Sequence, residues 1–157
     1  MPEKKTLERA RKDKREGKAP TTQAGEFVRE EMDHIREGKH GARSSKQAIA
    51  IGLSKARRAG VDLKPPAKGK ASPATRKKAE TDLRKGKKSA AKKTSAKRSQ
   101  ATKRALKREG HSAASHKALS KQAKSAAKRR STGTGEKTKN AAKPSRTGVE
   151  IAPERLD

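Results

Sequence analysis

Apolar residues in the first 66 positions fall into two stripes with helical spacing. The first stripe occupies positions i, i+3, i+4, i+8 and i+11 of one helical face, and its members are Ala24, Phe27, Val28, Met32 and Ile35. Acidic residues dominate the other faces. Thr21 or Thr22 is a suitable N-cap, and Gly38 suits the left-handed position that ends a helix. The pattern predicts a short, acidic, amphipathic helix.

The second stripe lies in the segment SSKQAIAIGLSKARRAG, residues 44–60. Ser44 and the glutamine three positions later have the spacing of a capping box, in which both side chains cap the helix start. Gly60 is placed to end the helix, and a Pro-Pro pair at residues 65–66 prevents its continuation. The pattern predicts a short, basic, amphipathic helix. Its apolar face is formed by Ile49, Gly52, Leu53 and Ala56.

The two predicted helices are joined by a short segment and are complementary in charge. Neither is long enough to be stable alone in water. We therefore predict a helical hairpin over residues 22–63. Its packing residues are Phe27, Met32 and Ile35 on the first helix and Ile49, Leu53 and Ala56 on the second. Two interpretations remain open: a marginal fold in its own right, or a surface for self-association or for docking a partner.

A helix-turn-helix unit that binds DNA is the less favoured interpretation of this hairpin. The connection, residues 38–43, is longer than the usual roughly three to four residues of that motif. The acidic first helix would also be repelled by a phosphate backbone.

The hairpin is flanked by segments with few large apolar residues. Residues 1–21 mix Glu with Lys and Arg around one sizeable apolar side chain, Leu7, and we expect a charged, solvated N-terminal arm. Residues 64–147 form a basic region rich in Lys and Ala. Residues 148–157 form an acidic end that we expect to be disordered.

Three stretches of the basic region are helix-prone. The first begins with Ser72 as N-cap and a proline at N1, and Gly86 is placed to stop it. The others span residues 89–110 and 111–133. Ala, Lys, Arg and Gln favour helices, whereas repulsion between lysines on one face opposes them. We expect bound phosphates to remove this repulsion, so that folding is coupled to binding.

Composition limits the size of any core. Hydrophobic residues make up 27% of the 157 residues, much of that is alanine, and the single aromatic side chain is Phe27. Charged residues make up 39%, and the formal net charge is +28. Such chains bury too little apolar surface to offset the entropy of ordering. The predicted fold class is mostly α and disordered, with a short helical hairpin, helix-prone basic segments and no large core.

Several classes of protein and site are excluded or disfavoured. The chain has no cysteine, which excludes disulfides, thiolate zinc sites and cysteine nucleophiles. It has no apolar run of the roughly 20 residues that a membrane span needs, and the N-terminal segment does not resemble a secretory signal. We expect a soluble cytoplasmic protein that does not bind membranes.

The sequence gives no support for catalysis, a cofactor or a metal. Glu30, Glu31 and Asp33 are expected on an exposed helical face, where nothing would raise a carboxyl pKa. His111 and His116 are interpreted as solvated imidazoles, because a metal site needs three or four convergent ligands. We predict a protein that is not an enzyme.

The charge distribution predicts a polyanionic partner. Residues 67–147 hold twenty-seven Lys or Arg and only four Asp or Glu. Lys and Arg bind phosphates without reading sequence, and the lack of aromatic stacking platforms disfavours single strands and RNA-binding sheets. Duplex DNA is therefore favoured over RNA. The candidate phosphate contacts are Lys77, Lys78, Lys87, Lys88, Lys92, Lys93, Arg98, Arg104, Lys128, Arg129 and Arg130.

The functional hypothesis is a sequence-nonspecific, histone-like protein of the nucleoid. Two alternatives stay open. One is a basic protein associated with RNA or the ribosome. The other is a module that docks a partner through residues 1–66 and carries a solvating basic tail.

Two resemblances bear on this hypothesis. The segment KQAIAIGLSKARRAG, with GEFVREEMDHIREGKHGARS before it and AASHKALSKQAKSAAKRRS after it, resembles small, basic, uncharacterised bacterial proteins. This likeness covers most of residues 22–66 and roughly residues 110–131, and it implies a bacterial source. Residues 67–147 are similar in composition to the Lys/Ala-rich tails of linker histones and of bacterial histone-like proteins. That similarity implies DNA compaction by charge.

Overall fold

A computed structural model describes residues 2–87 and 95–141 of the chain, with side chains described as far as residue 131. These residues are mostly helical, with no strand among them. The helices are α1 (Lys4–Arg15), α2 (Pro20–Arg36), α3 (Ser45–Arg58), α4 (Pro73–Lys87), α5 (Ala96–Lys107) and α6 (His116–Ala141). One turn of 3-10 helix, Ser112–Ala114, precedes α6. Contacts divide the chain into one unit of residues 1–122 and a second of residues 123–157.

Helices α2 and α3 form an antiparallel hairpin whose ends are set by local sequence. The Ser44 hydroxyl accepts the backbone N–H of Gln47 at 3.3 Å, and the Gln47 side chain accepts the N–H of Arg43 at 2.9 Å. Gly38 and Gly60 end the two helices with φ of +73° and +94°, a conformation that favours glycine. The predicted cap and stops of α3 and the stop of α2 are thus confirmed.

The start of α2 differs from the prediction. The helix begins at Pro20, after Ala19, and no side chain caps it. Thr21 and Thr22 therefore lie inside the first turn instead of at the N-cap. Proline fits the first helical position because its missing N–H has no partner there in any helix.

Two small apolar clusters hold the hairpin together. In one, Phe27 and Ala56 are buried and Leu53 packs against them. In the other, Met32 and Ile35 are buried and Ile49 packs against them. These six are the packing residues that the sequence pattern predicted. Both clusters are limited in size, so the described residues contain no large core.

A glycine sets the distance between the two hairpin helices. A Cβ added to Gly52 would lie 2.7 Å from Cα of Val28 on the facing helix. Real side chains do not come that close to a backbone atom, so any larger residue would push α3 away from α2.

The expectation of a solvated N-terminal arm was wrong. Helix α1 packs against α2, and Thr6, Ala10 and Asp13 are buried. Ala10 joins the cluster around Phe27, and Leu7 packs against it. Small side chains made this contact hard to recognise, because alanine and threonine carry little apolar signal in a sequence pattern.

Two parts of the predicted basic region also pack on the hairpin. Helix α4 lies against α3, where the Ser54 hydroxyl donates to Oδ2 of Asp82 at 2.6 Å. Gly86 is within α4 and does not stop it. A Cβ at this position would clash with the backbone carbonyl oxygen of Arg57. Helices α3 and α4 therefore pack together across the position near residue 64 where the sequence analysis placed a domain boundary.

The turn at Ser112–Ala114 inserts into the same core. Ala113 and Ala114 are buried in the cluster of Met32 and Ile35. The hydroxyl of Ser45 donates to the Ala113 carbonyl at 2.7 Å. This segment was predicted to be part of a helix-prone basic region, but its two alanines are buried in the core.

Candidate nucleic-acid interface

The predicted phosphate-binding cations lie on three helices. Lys77, Lys78 and Lys87 lie on α4, Arg98 and Arg104 on α5, and residues 128–130 on α6. All of these side chains are exposed. Lys88, Lys92 and Lys93, together with the predicted acidic end at 148–157, lie outside the described residues.

These cations differ from those of the hairpin in whether they form ion pairs with acidic side chains. Among the described residues, Lys77, Lys78, Arg98 and Arg104 form no ion pair. Lys87 lies 3.6 Å from a carboxylate oxygen of Asp62, with both side chains about two-thirds exposed. A pair so exposed contributes little and would be exchanged readily for a phosphate.

Helix α5 is the most exposed basic surface. It contains no buried residue and no acidic residue. At 100° per residue, four of its five cations fall within about 120° of one face. The cations of α5 are Lys97, Arg98, Lys103, Arg104 and Lys107, with Arg98 off that face. The helix is about 18 Å long, so the stripe of charge spans several phosphates of one strand.

The start of α4 adds a second positive surface. The Ser72 hydroxyl accepts the backbone N–H of Thr75 at 3.2 Å, as predicted for an N-cap. Lys68, Arg76 and Lys77 line a groove beside this helix end. The partial positive charge of a helix N-terminus and nearby cations both favour phosphate oxygens.

Several cations in and around the first three helices pair with carboxylates of the same region. Arg9 pairs with Glu26 at 3.3 Å, and Lys39 lies 3.3 Å from Glu3. Hydrogen bonding to Lys18 lowers the pKa of Glu16 from its ordinary value of 4.5. Cations held in this way are less available to a polyanion than those of α5.

Two acidic residues expected on an exposed face are buried instead. Glu30 and Glu31 are 5% and 0% exposed, and both approach Lys55. Burial of Glu30 acts to raise its pKa, but hydrogen bonds from Thr6 and the Glu3 backbone, with the charge of Lys55, leave it below 4.5. The sequence pattern failed here because α1 and α3 cover the face of α2 that appeared to be polar and solvated.

The structure also brings together a set of metal-ligating residues that the sequence analysis missed. Donor atoms of Glu31, His34 and His40 lie within 4.8 Å of one another. The spacing of Glu31 and His34, three residues apart on a helix, was a usable signal. His40 lies in the connection before α3, and only the fold places it there. His111 and His116 are both exposed and do not belong to this set.

Comparisons with known proteins cover only the N-terminal part of the chain. Residues 5–68, which include α2, α3 and all but the first residue of α1, match a family of unknown function (DUF6496). The match covers less than half of the chain and does not include α4, α5 or α6. No curated protein and no solved structure matches the chain significantly. No described helix has the length and apolar character to cross a membrane.

Proposed function

We propose that this protein binds duplex DNA without sequence preference, by phosphate neutralisation, in the manner of a histone-like protein of the bacterial nucleoid. The observation that carries the proposal is helix α5. It exposes five cations, contains no acid, and forms no ion pair among the described residues. A surface of this kind gains free energy mainly by releasing counterions from a polyanion.

Duplex backbone is favoured over single strands by what the chain lacks. Its single aromatic residue, Phe27, is buried in the hairpin core. Proteins that bind single strands use exposed aromatic rings on which bases stack. Lys and Arg side chains can bind the regularly spaced phosphates of a duplex without reading its sequence. Structured RNA remains the second candidate, since it offers the same phosphate chemistry.

In this proposal, the hairpin of α2 and α3 positions helix α5. The backbone N–H groups of Gly41 and Ala42 bind the carbonyls of Leu106 and Gly110 at 2.9 and 3.0 Å. The end of α5 is therefore held on the connection between α2 and α3. Docking of a protein partner on the hairpin is the remaining alternative.

The test compares two variants with the same net charge. In one, Lys77, Lys78, Arg98 and Arg104 are changed to Gln. In the control, four cations that lie within 3.4 Å of a carboxylate oxygen are changed to Gln: Arg9, Lys18, Arg36 and Lys39. Duplex-DNA affinity of the full chain is measured across a salt series. The proposal predicts that the slope of log K against log salt falls by as much as about 3.6 in the first variant, at about 0.9 for each lost phosphate contact.

The control variant should keep most of the slope, because its cations form closer pairs with carboxylates of the same protein. Equal losses in both variants would contradict a localised interface, and a full chain that binds duplex weakly at physiological salt would reject the proposal. Competition with tRNA at equal phosphate concentration separates the two nucleic acids. Stronger competition by tRNA than by unlabelled duplex would favour the RNA alternative.

A further inference from the structure

Three side chains with metal-binding chemistry meet at the C-terminal end of α2. Glu31 and His34 lie one turn apart on that helix, and His40 comes from the connection to α3. The Glu31 side chain is fully buried, and the two imidazoles are 14% and 18% exposed. The three groups are therefore held by the fold, unlike histidines on a free surface.

The separation of two of these groups already suits a shared ion. Oε1 of Glu31 lies 3.5 Å from Nε2 of His40, which is long for a hydrogen bond. Two ligands bound to one tetrahedral ion at 2.0–2.1 Å are about 3.4 Å apart. No separation in the set exceeds 4.8 Å.

Neighbouring groups give each imidazole a defined ligand atom. Nδ1 of His40 lies 3.2 Å from the carbonyl oxygen of Gly41. A proton on Nδ1 satisfies that carbonyl and leaves the lone pair of Nε2 directed at Glu31. Nε2 of His34 lies 2.9 Å from Oε1 of Glu3, and a proton on Nε2 would leave the free lone pair on Nδ1. Metal-bound histidines usually donate their other ring N–H to a backbone carbonyl or a carboxylate in this way.

The charge around the set is unbalanced. Lys55 lies 3.3 Å from Oε1 of Glu30 and 2.6 Å from Oε2 of Glu31, so that one ammonium serves two buried carboxylates. The backbone N–H of Glu3 and the Thr6 side chain help to hold Glu30. Neither oxygen of Glu31 has an aligned hydrogen-bond donor among the described residues. An excess negative charge in the interior is costly unless a cation compensates it.

We propose that Glu31, His34 and His40 bind a divalent transition metal, with Zn²⁺ as the best match. Two neutral imidazoles and one carboxylate form a ligand set that Zn²⁺ prefers, and a water would complete four-coordination. The ion would satisfy Oε1 of Glu31, while Lys55 stays between Oε2 of Glu31 and Oε1 of Glu30. It would also tie the connection before α3 to the end of α2. The site is independent of the proposed nucleic-acid interface.

The test uses the full-length chain without a histidine tag. Zn²⁺ binding is measured by titration calorimetry, and Co²⁺ is added as a spectroscopic probe of coordination. The expected result is one ion per chain and the visible absorption of four-coordinate Co²⁺ with nitrogen and oxygen ligands. His34→Gln and His40→Gln should each lower Zn²⁺ affinity by about 100-fold or more, since even the loss of an outer hydrogen-bond partner costs about 10–100-fold.

His116→Gln is the matched control, because it removes an exposed histidine far from this set in sequence. It should leave affinity and the Co²⁺ spectrum unchanged. Metal-free melting curves of all variants are compared first, and Glu31→Gln gives a further ligand deletion that keeps the shape of the side chain. Absence of saturable Zn²⁺ binding would overturn the proposal. So would equal binding by the His34→Gln and wild-type chains, or an equal loss in the His116→Gln control.

Discussion

Helices α2 and α5 are both rich in charge, yet they satisfy it in opposite ways. Seven residues of α2 are buried, including two glutamates, and its carboxylates pair with Lys and Arg of α1 and α3. Helix α5 buries none of its residues and pairs none of its cations with a described acid. The charges of α2 hold the neighbouring helices in place, whereas the cations of α5 remain available to another molecule.

This difference implies that α2 contributes to the stability of the protein, whereas α5 contributes to affinity for a polyanion. Phe27 and Ile35 are the largest fully buried apolar side chains, and their burial contributes to the free energy that holds the helices of the hairpin together. Exposed lysines of α5 add little to that free energy and repel one another. Substitutions in the two regions should therefore change different measurements.

The largest expected effect comes from the core. Phe27→Ala should lower the free energy of unfolding by about 3–5 kcal/mol, because it leaves a cavity among α1, α2 and α3. Leu106→Ala on α5, where the side chain is half-buried, is the matched truncation and should cost much less. Thermal and urea unfolding measure both. Similar losses in the two variants would remove the distinction between the regions.

The next largest effect tests the close approach of α2 and α3. Gly52→Ala should destabilise by about 1–3 kcal/mol through overpacking, because its Cβ meets the Val28 backbone. Gly25→Ala changes another helical glycine but meets open space, and it should stabilise by up to about 1 kcal/mol. Urea midpoints measure the pair. Stabilisation by both substitutions would show that the two helices can separate without cost.

A smaller effect distinguishes two helix starts. Ser44→Ala should cost about 1 kcal/mol, because its hydroxyl caps α3. Ser95 occupies the same position of α5 but forms no side-chain capping bond, so Ser95→Ala should change stability by much less. Unfolding midpoints and far-UV helicity report the difference. An equal response at the two serines would contradict the assigned capping bond.

The smallest effect concerns the exposed cluster at the end of α1. The Lys18 hydrogen bond lowers the pKa of Glu16 below 4.5, so the stability it contributes is present above pH 4.5 and is lost as pH falls through the folded value. NMR titration of the Glu16 carboxyl carbon should show this lowered pKa. Lys18→Met should return it towards 4.5. An unchanged titration in that variant would assign the shift to another group.

Local signals in the sequence were sufficient to predict the hairpin and the start of α4. The Ser44 cap, the Gly38 and Gly60 endings and the Ser72 cap each depend on residues within a few positions. The six packing residues follow from helical periodicity, which the sequence shows directly. The exposed cations of α4, α5 and α6 also follow from composition, since lysines and arginines are rarely buried without a partner.

Contacts between distant parts of the chain were not predictable in the same way. Ala113 enters a core formed by residues about 70–80 positions earlier, and alanine gives no periodic signal strong enough to indicate it. The same difficulty concealed α1, whose contact with α2 depends on Thr6 and Ala10. It also concealed the burial of Glu31, which appears in the sequence to be one of several solvated acids.

The sequence by itself determined the helical class, the ends of the hairpin helices and the strong positive charge, because each depends on composition or on neighbours along the chain. The tertiary structure alone decided which charges are buried and which are exposed, and it brought His40 to Glu31 and His34. The physical reason is that burial and ligand geometry depend on which surfaces cover one another. In a chain with so few large apolar residues, small side chains and paired charges determine which surfaces pack together.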